Sequence, residues 1–252
     1  MNKAFLLTVA EKTLEFSLAQ QRKDVSLTTV SKINRDTVFK LKEEPYADDP
    51  EILILNEDCI SVLEKLHTEN LNPVCLNLAS DRKPGGGWTN GAMAQEESIF
   101  YRTTYCCCLP RQYYPLDITD VIYSPKVMVF RNADYSLRHK KDIFNTSFIA
   151  CPGLRNPKLQ NDCMTTYDYS LLKVKIELIL KTAIENKHKS IVLGALGCGV
   201  FNCPVYDVVC AFKSMIAKYG KYFKKIHFAV KEDRKGTFAL FNKYWNDPEI
   251  KE

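Results

Sequence analysis

Apolar residues recur along this chain in two rhythms. Leu6, Ala10, Leu14 and Leu18 fall at four-residue steps, with Leu7 beside them, and predict an amphipathic helix over 4–21. Residues 22–50 are polar and mixed, closing on EEPYADDP, an acidic stretch bounded by prolines that reads as a loop. Short β-rich runs then take over: ILIL at 52–55, VCLNLA at 74–79, VMVF at 127–130, SFIA at 147–150, IVLG at 191–194 and IHFAV at 226–230. Helical patterns separate several of them. Leu172, Ile176, Ile179, Leu180 and Ala183 form one stripe, and 204–219 and 237–246 are further candidates.

Strands with apolar residues on both faces suit a sheet covered by helices on both sides. The expectation is a single α/β domain over residues 1–252, with 1–48 a helical N-terminal extension packed on it. A mixed sheet is expected, because 130–147 is too polar to supply a crossover helix. No internal repeat or low-complexity segment is visible.

Composition changes this picture little. Apolar residues make up 46% and charged residues 26%, enough for a sizeable core. The net charge of +5 is spread thinly apart from clusters such as Arg138–His139–Lys140–Lys141, which read as solvated surface, so no specific nucleic-acid partner is expected. The 10 cysteines form no CxxC pair, and His67, His139, His188 and His227 lie away from them at ligand spacing. No metal site and no cofactor is therefore expected, and the cysteines read as reduced thiols of an intracellular protein, cytoplasmic or nuclear. The apolar run FLLTVA at 5–10, followed by Glu11 and Lys12, is too short for a signal peptide. No run approaches the roughly 18 apolar residues of a membrane span.

The candidate chemistry lies in two glycine-bearing loops that follow strands, where α/β sheets form ligand crevices. Gly197-Cys198-Gly199-Val200-Phe201 would present successive N–H groups to an anion, and a helix starting near Pro204 would add its positive end. Standard nucleotide fingerprints are not met: the glycine order at 194–199 is reversed, and no GK[ST] follows. The other loop, KPGGG at 83–87, holds more glycines than any common turn needs, as a loop does when bare backbone must touch a ligand. After seven intervening residues Gln95-Glu96-Glu97 opens a helix. Adjacent helical carboxylates point about 100° apart, so they cannot share one proton face to face. They either divide two roles at one ligand or complement the helix dipole.

Three stretches, LNLASDRKPGGGWTNGAMAQEES, IYSPKVMVFR at 122–131 and VLGALGCGVFNCP at 192–204, together resemble the microbial-type poly(ADP-ribose) glycohydrolase family, a branch of the macrodomain fold. The likeness runs from AEKT at 10–13 to FAV at 228–230, and GGG, six to eight residues, then QEE is that family's signature. The resemblance implies a three-layer α/β/α sandwich. It also implies a metal-independent glycoside hydrolase that cuts the ribose–ribose O-glycosidic bond of poly(ADP-ribose), with poly(ADP-ribose) or ADP-ribosylated proteins as substrate and ADP-ribose as product.

By the same resemblance Glu97 is the catalytic acid/base and Glu96 holds the ribose hydroxyls. Glycoside cleavage needs a carboxylic acid to protonate the departing oxygen, and the resulting carboxylate can then activate water. Gly85, Gly86, Gly87 and Gln95 fall in the catalytic loop and its helix, the glycines leaving room for the terminal ribose and a phosphate. Gly197, Cys198, Gly199, Val200 and Phe201 match the diphosphate loop, Phe201 packing on the terminal ribose, and Asn77 reaches that ribose. Asp58 and Cys59 match the position that reads adenine, although Asp58 serves equally well as the N-cap of a helix over 60–67. Trp88, Leu196 and Asn202-Cys203 depart from the family pattern and bear on the pocket's rim. Macrodomain folds also host non-catalytic ADP-ribose readers and hydrolases of other ADP-ribose derivatives. The intact Glu96–Glu97 pair favours hydrolysis over reading.

Overall fold

The computed structural model describes residues 2–250. Met1, Lys251 and Glu252, included in the single-domain expectation, lie outside the described residues. In chain order the elements are helix α1 (Lys3–Lys23), strands β1 (Ser31–Ile33) and β2 (Glu51–Leu55), α2 (Cys59–Thr68), β3 (Pro73–Leu78) and α3 (Gln95–Arg102). Strands β4 (Val121–Val129) and β5 (Phe144–Cys151) follow, then the short pair β6 (Leu159–Gln160) and β7 (Cys163–Met164). The chain closes with α4 (Thr166–Glu185), β8 (Ser190–Leu193), α5 (Val205–Tyr219), β9 (Lys225–Ala229) and α6 (Thr237–Trp245).

Seven strands pair in the order β1-β4-β5-β3-β8-β9-β2. Only β4 runs against its neighbours, so the sheet is mixed, with five consecutive parallel strands from β5 to β2. Side chains alternate across it as the strand period requires. Val74 and Leu76 of β3 enter the core formed with Leu172, Ile176 and Phe212 of α4 and α5, while Cys75 faces the core shared with Leu6, Leu63 and Phe100 of α1, α2 and α3. Three layers result, helices covering both faces. Asn77, two residues beyond Cys75, continues the α3-side face at the carboxyl end of β3, a wholly buried polar residue where an apolar one would otherwise sit. No helix among the described residues is long and apolar enough to cross a membrane.

The N-terminal region departs from its expected pattern in two ways. Helix α1 buries Leu6, Val9, Ala10, Thr13 and Ser17, whereas Leu14 and Leu18 are 40% and 41% exposed. Four-residue steps drift about 40° each on a helix of 3.6 residues per turn, so Leu18 lies about 120° around from Leu6, while Ser17 returns to the same face. The segment after α1 is also not helical throughout: Ser31–Ile33 form β1, the antiparallel neighbour of β4. Three residues carry too little alternation to show as a strand. Strand β4 starts earlier than VMVF, at Val121, and runs through Pro125 by a register shift between Ser124 and Val127. Proline has no ladder donor and is accommodated at such an irregularity.

Candidate active site

Helix α3 is attached to the sheet by its first residue. Gln95 Nε2 donates to Leu76 O at 2.7 Å, and Leu78 N donates to Gln95 Oε1 at 2.8 Å, so its amide pairs with β3 as another strand's backbone would. The residues that follow are thereby fixed at the carboxyl end of the parallel strands. Glu96 and Glu97 are only 4% and 8% exposed. Glu96 Oε2 accepts from Ser80 N at 2.8 Å, and Oε1 accepts from Gly85 N and from Asn77 Nδ2, both at 3.2 Å. Glu97 Oε1 accepts from Gly87 N at 2.8 Å, and Oε2 accepts from Ala94 N at 3.0 Å. That last bond closes the helix's own N-terminus, one half of a capping box.

The glycines serve the glutamates directly. Gly86 has φ +53°, and a Cβ there would lie 2.6 Å from Glu97 Oε1 and 3.2 Å from Glu96 Oε2. The bare loop therefore lets its N–H groups reach both carboxylates. Burial pushes Glu96 up to about 7, and the neighbouring Glu97 charge adds to the rise, while the Ser80, Asn77 and Gly85 donors oppose it. Tyr101 holds the loop from behind, its hydroxyl donating to Trp88 O at 2.7 Å.

Residues 197–201 leave β8 as a tight loop. Gly197, at φ +79°, lies against Cys203 and Gly153, and a Cβ would meet Cys203 Sγ at 2.5 Å. At Gly199 the same construction meets no atom within 4 Å, and Val200 is exposed. Cys198 turns inward instead, and burial pushes its thiol up. Phe201 is half-buried, its ring under the Arg155 guanidinium at 4.0 Å. Lys235 Nζ reaches the loop from beyond β9, donating to Gly199 O at 2.8 Å and to Asn202 Oδ1 at 2.9 Å.

Hydrogen bonds join Asn77, Gly85, Gly87, Gln95, Glu96 and Glu97 through β3, the loop and α3, with Gly86 between the two carboxylates. Asp58 and Cys59 lie elsewhere, at the opposite end of α3. Asp58 caps α2, its Oδ1 accepting from Ile60 N and Ser61 N, both at 3.1 Å, and from Arg102 Nη1 at 2.5 Å. Its other oxygen accepts from the Ser61 hydroxyl. Cys59 is buried in the core beside α1 and α3. Sequence reasoning missed Ser80, whose contribution is a backbone N–H and leaves no side-chain signal. It also missed Tyr105 and Tyr114, whose hydroxyls, like Asn77 Oδ1, are buried without a hydrogen-bond partner among the described residues. Burial first, then charges that include Glu96, push both phenols up.

A mixed α/β/α sheet with two buried carboxylates and two glycine-bearing loops at its strand ends defines a macrodomain-like protein with a candidate hydrolytic centre. The family model "Microbial-type PARG, catalytic domain" matches residues 7–132, and the chain belongs to that family of poly(ADP-ribose) glycohydrolases, which are glycoside hydrolases. No curated protein sequence matches the chain. Among solved structures, poly(ADP-ribose) glycohydrolase from Thermomonospora curvata shares 21% identity at a TM-score of 0.83, covering 96% of this chain and 99% of that one. The same enzyme bound to the inhibitor ADP-HPD matches at 22% and 0.82, over 95% and 99% of the two chains. The Deinococcus radiodurans enzyme in complex with ADP-ribose matches at 20% and 0.73, over 90% and 96%. At such identities the structural likeness speaks for the fold.

Proposed function

We propose that this chain hydrolyses the ribose–ribose O-glycosidic bond of poly(ADP-ribose), with Glu97 as general acid and base and Glu96 orienting the ribose hydroxyls. The observation that carries this reading is the pair of buried, neighbouring carboxylates on either side of Gly86, each bonded to main-chain N–H groups. Glu97 in its acid form donates a proton to the departing ribose oxygen as the bond to the anomeric carbon breaks. The sugar then carries oxocarbenium character, and the Glu97 carboxylate removes a proton from the water that attacks it. Its N–H partners at Gly87 and Ala94 hold the side chain in place through both steps.

Glu96 accepts three hydrogen bonds, and that fixes where a ribose hydroxyl meets it. The loop 197–201, with Gly199 open and Lys235 bonded to its carbonyl, is the part of the site suited to the diphosphate. On this reading 1–252 acts as one catalytic unit inside a cell, and ADP-ribose, seen bound to the Deinococcus radiodurans enzyme, is its product. The test is incubation with poly(ADP-ribose), where the wild-type chain releases ADP-ribose. Glu97→Gln should lose about 10³-fold or more in kcat while retaining ADP-ribose binding by calorimetry. Equal turnover in the variant removes Glu97 from the chemistry, and tight binding without release by the wild type makes the chain a reader.

A further inference from the structure

One guanidinium ties together three loops at the carboxyl ends of the strands. Arg155, in the loop after β5, donates from Nε to Asp81 Oδ2 at 3.0 Å and from Nη2 to Asp81 Oδ1 at 2.5 Å. Its Cζ lies 4.0 Å from the centre of the Phe201 ring. The next residue reinforces the grip, because Asn156 N donates to Phe201 O at 2.8 Å and Asn202 Nδ2 donates to Asn156 Oδ1 at 2.9 Å. On the other side, Asp81 follows Ser80, the residue whose N–H holds Glu96 Oε2. A continuous set of contacts therefore runs from the 197–201 loop through Arg155 and Asp81 to the Glu96 carboxylate.

A planar fork that pairs bidentately while stacking on a ring is a geometry arginine can make and lysine cannot. Both charges are partly exposed, at 33% and 28% of their side-chain surface. Such a pair adds little to fold stability, so its effect belongs to positioning. We propose that Arg155 is a positioning residue that couples the 197–201 loop to Glu96, so that seating the diphosphate and aligning the carboxylate become one event. The proposal rests on the glycohydrolase reading and on the 197–201 loop taking the diphosphate.

The test compares R155A, R155K, D81A and the R155A/D81A double variant with the wild-type chain. Turnover of poly(ADP-ribose) gives kcat and KM, calorimetry gives ADP-ribose affinity, and thermal melting gives stability. A small misplacement of reacting groups costs about 10–100-fold in rate, so R155A and D81A should each lose about that much kcat. R155A should also bind ADP-ribose more weakly, and melting should shift by no more than about 2 °C. The double variant should be no worse than the poorer single variant by more than about threefold, as residues acting through one contact are non-additive. R155K should remain impaired, and free guanidinium should restore part of the R155A turnover.

R155A activity and affinity within about threefold of wild type would reduce the clasp to a surface ion pair. A silent D81A beside a damaged R155A would show that the guanidinium acts without Asp81, and would overturn the coupling. Should R155A melt early, R155K carries the same test, and wild-type kinetics in it refute the proposal. A wild-type chain that binds ADP-ribose but releases none refutes the enzymatic reading instead. The clasp is then judged by ADP-ribose affinity in the same variants.

Discussion

Gln95 offers the sharpest contrast between a ligand contact and a fastener. Its amide makes two bonds to β3, at 2.7 Å to Leu76 O and 2.8 Å from Leu78 N. Gln95→Ala removes both and leaves a carbonyl and an N–H of the strand end unpaired. Leu76 is fully buried and Leu78 partly so. An unsatisfied buried polar group costs about 1–3 kcal/mol, and partial access of water to Leu78 brings the expected sum to about 2–4 kcal/mol. Urea unfolding with a fixed m-value reads this as a lowered midpoint.

Because Gln95 is the first residue of α3 and the glutamates are the next two, the helix start should also shift, lowering kcat about 100-fold at a misplacement near 1 Å. Gln95→Glu sharpens the test. It keeps an acceptor for Leu78 N–H but sets a carboxylate oxygen against Leu76 O, so it should be no more stable than the alanine variant above the carboxyl's titration. A Q95A chain that unfolds within about 0.5 kcal/mol of wild type but has lost ADP-ribose affinity would refute this reasoning. Gln95 would then be a substrate contact, as the family signature suggests.

Three further outcomes are expected. Gly199→Val should melt like wild type, since a Cβ there meets nothing within 4 Å, yet bind ADP-ribose at least about tenfold more weakly; unchanged calorimetric affinity places the diphosphate elsewhere. Gly86→Ala should cost about 1–2 kcal/mol for a left-handed residue, plus the displacement of two carboxylates, so unfolding and turnover should fall together, and a variant that keeps full kcat contradicts the geometry. Glu96, pushed up to about 7 from 4.5, keeps its proton in the folded chain while the unfolded chain ionises. Its contribution to the ligand-free fold is complete below about pH 4.5 and lost as pH rises through about 7, about 3 kcal/mol in all. Wild-type stability relative to Glu96→Gln should therefore decline between pH 5 and pH 7.5, and a flat difference would refute the burial argument.

Much of this molecule can be read from its residues, for identifiable reasons. Runs such as VCLNLA and IVLG are buried on both faces, so their apolar character alone marks them. The stripe from Leu172 to Ala183 keeps the helical period and is buried as expected. The spacing from GGG to QEE pointed to two segments that hydrogen bonds do bring together, Gly85 and Gly87 against Glu96 and Glu97. What escaped was set by contact across the fold. Strand β1 exists because β4 offers an edge, and three residues cannot announce that alone. Leu14 and Leu18 look like core until the 3.6-residue period is applied over three steps. Ser80 acts through its main chain, Arg155 through a loop distant in sequence, and Tyr105 and Tyr114 are ordinary aromatics until their buried hydroxyls are located.

Four of the five groups that hold the two glutamates are peptide N–H groups, at Ser80, Gly85, Gly87 and Ala94, and every amino acid except proline carries one. The polarity around the acid pair is thus written in the path of the chain, with little demand on which side chains decorate it. A designer could recode Ser80 or Ala94 and keep the donors, provided the backbone trace survived. Grafting this centre into another scaffold would mean reproducing a curve before copying any residue other than Asn77, Gln95, the glutamates and the glycines of the loop.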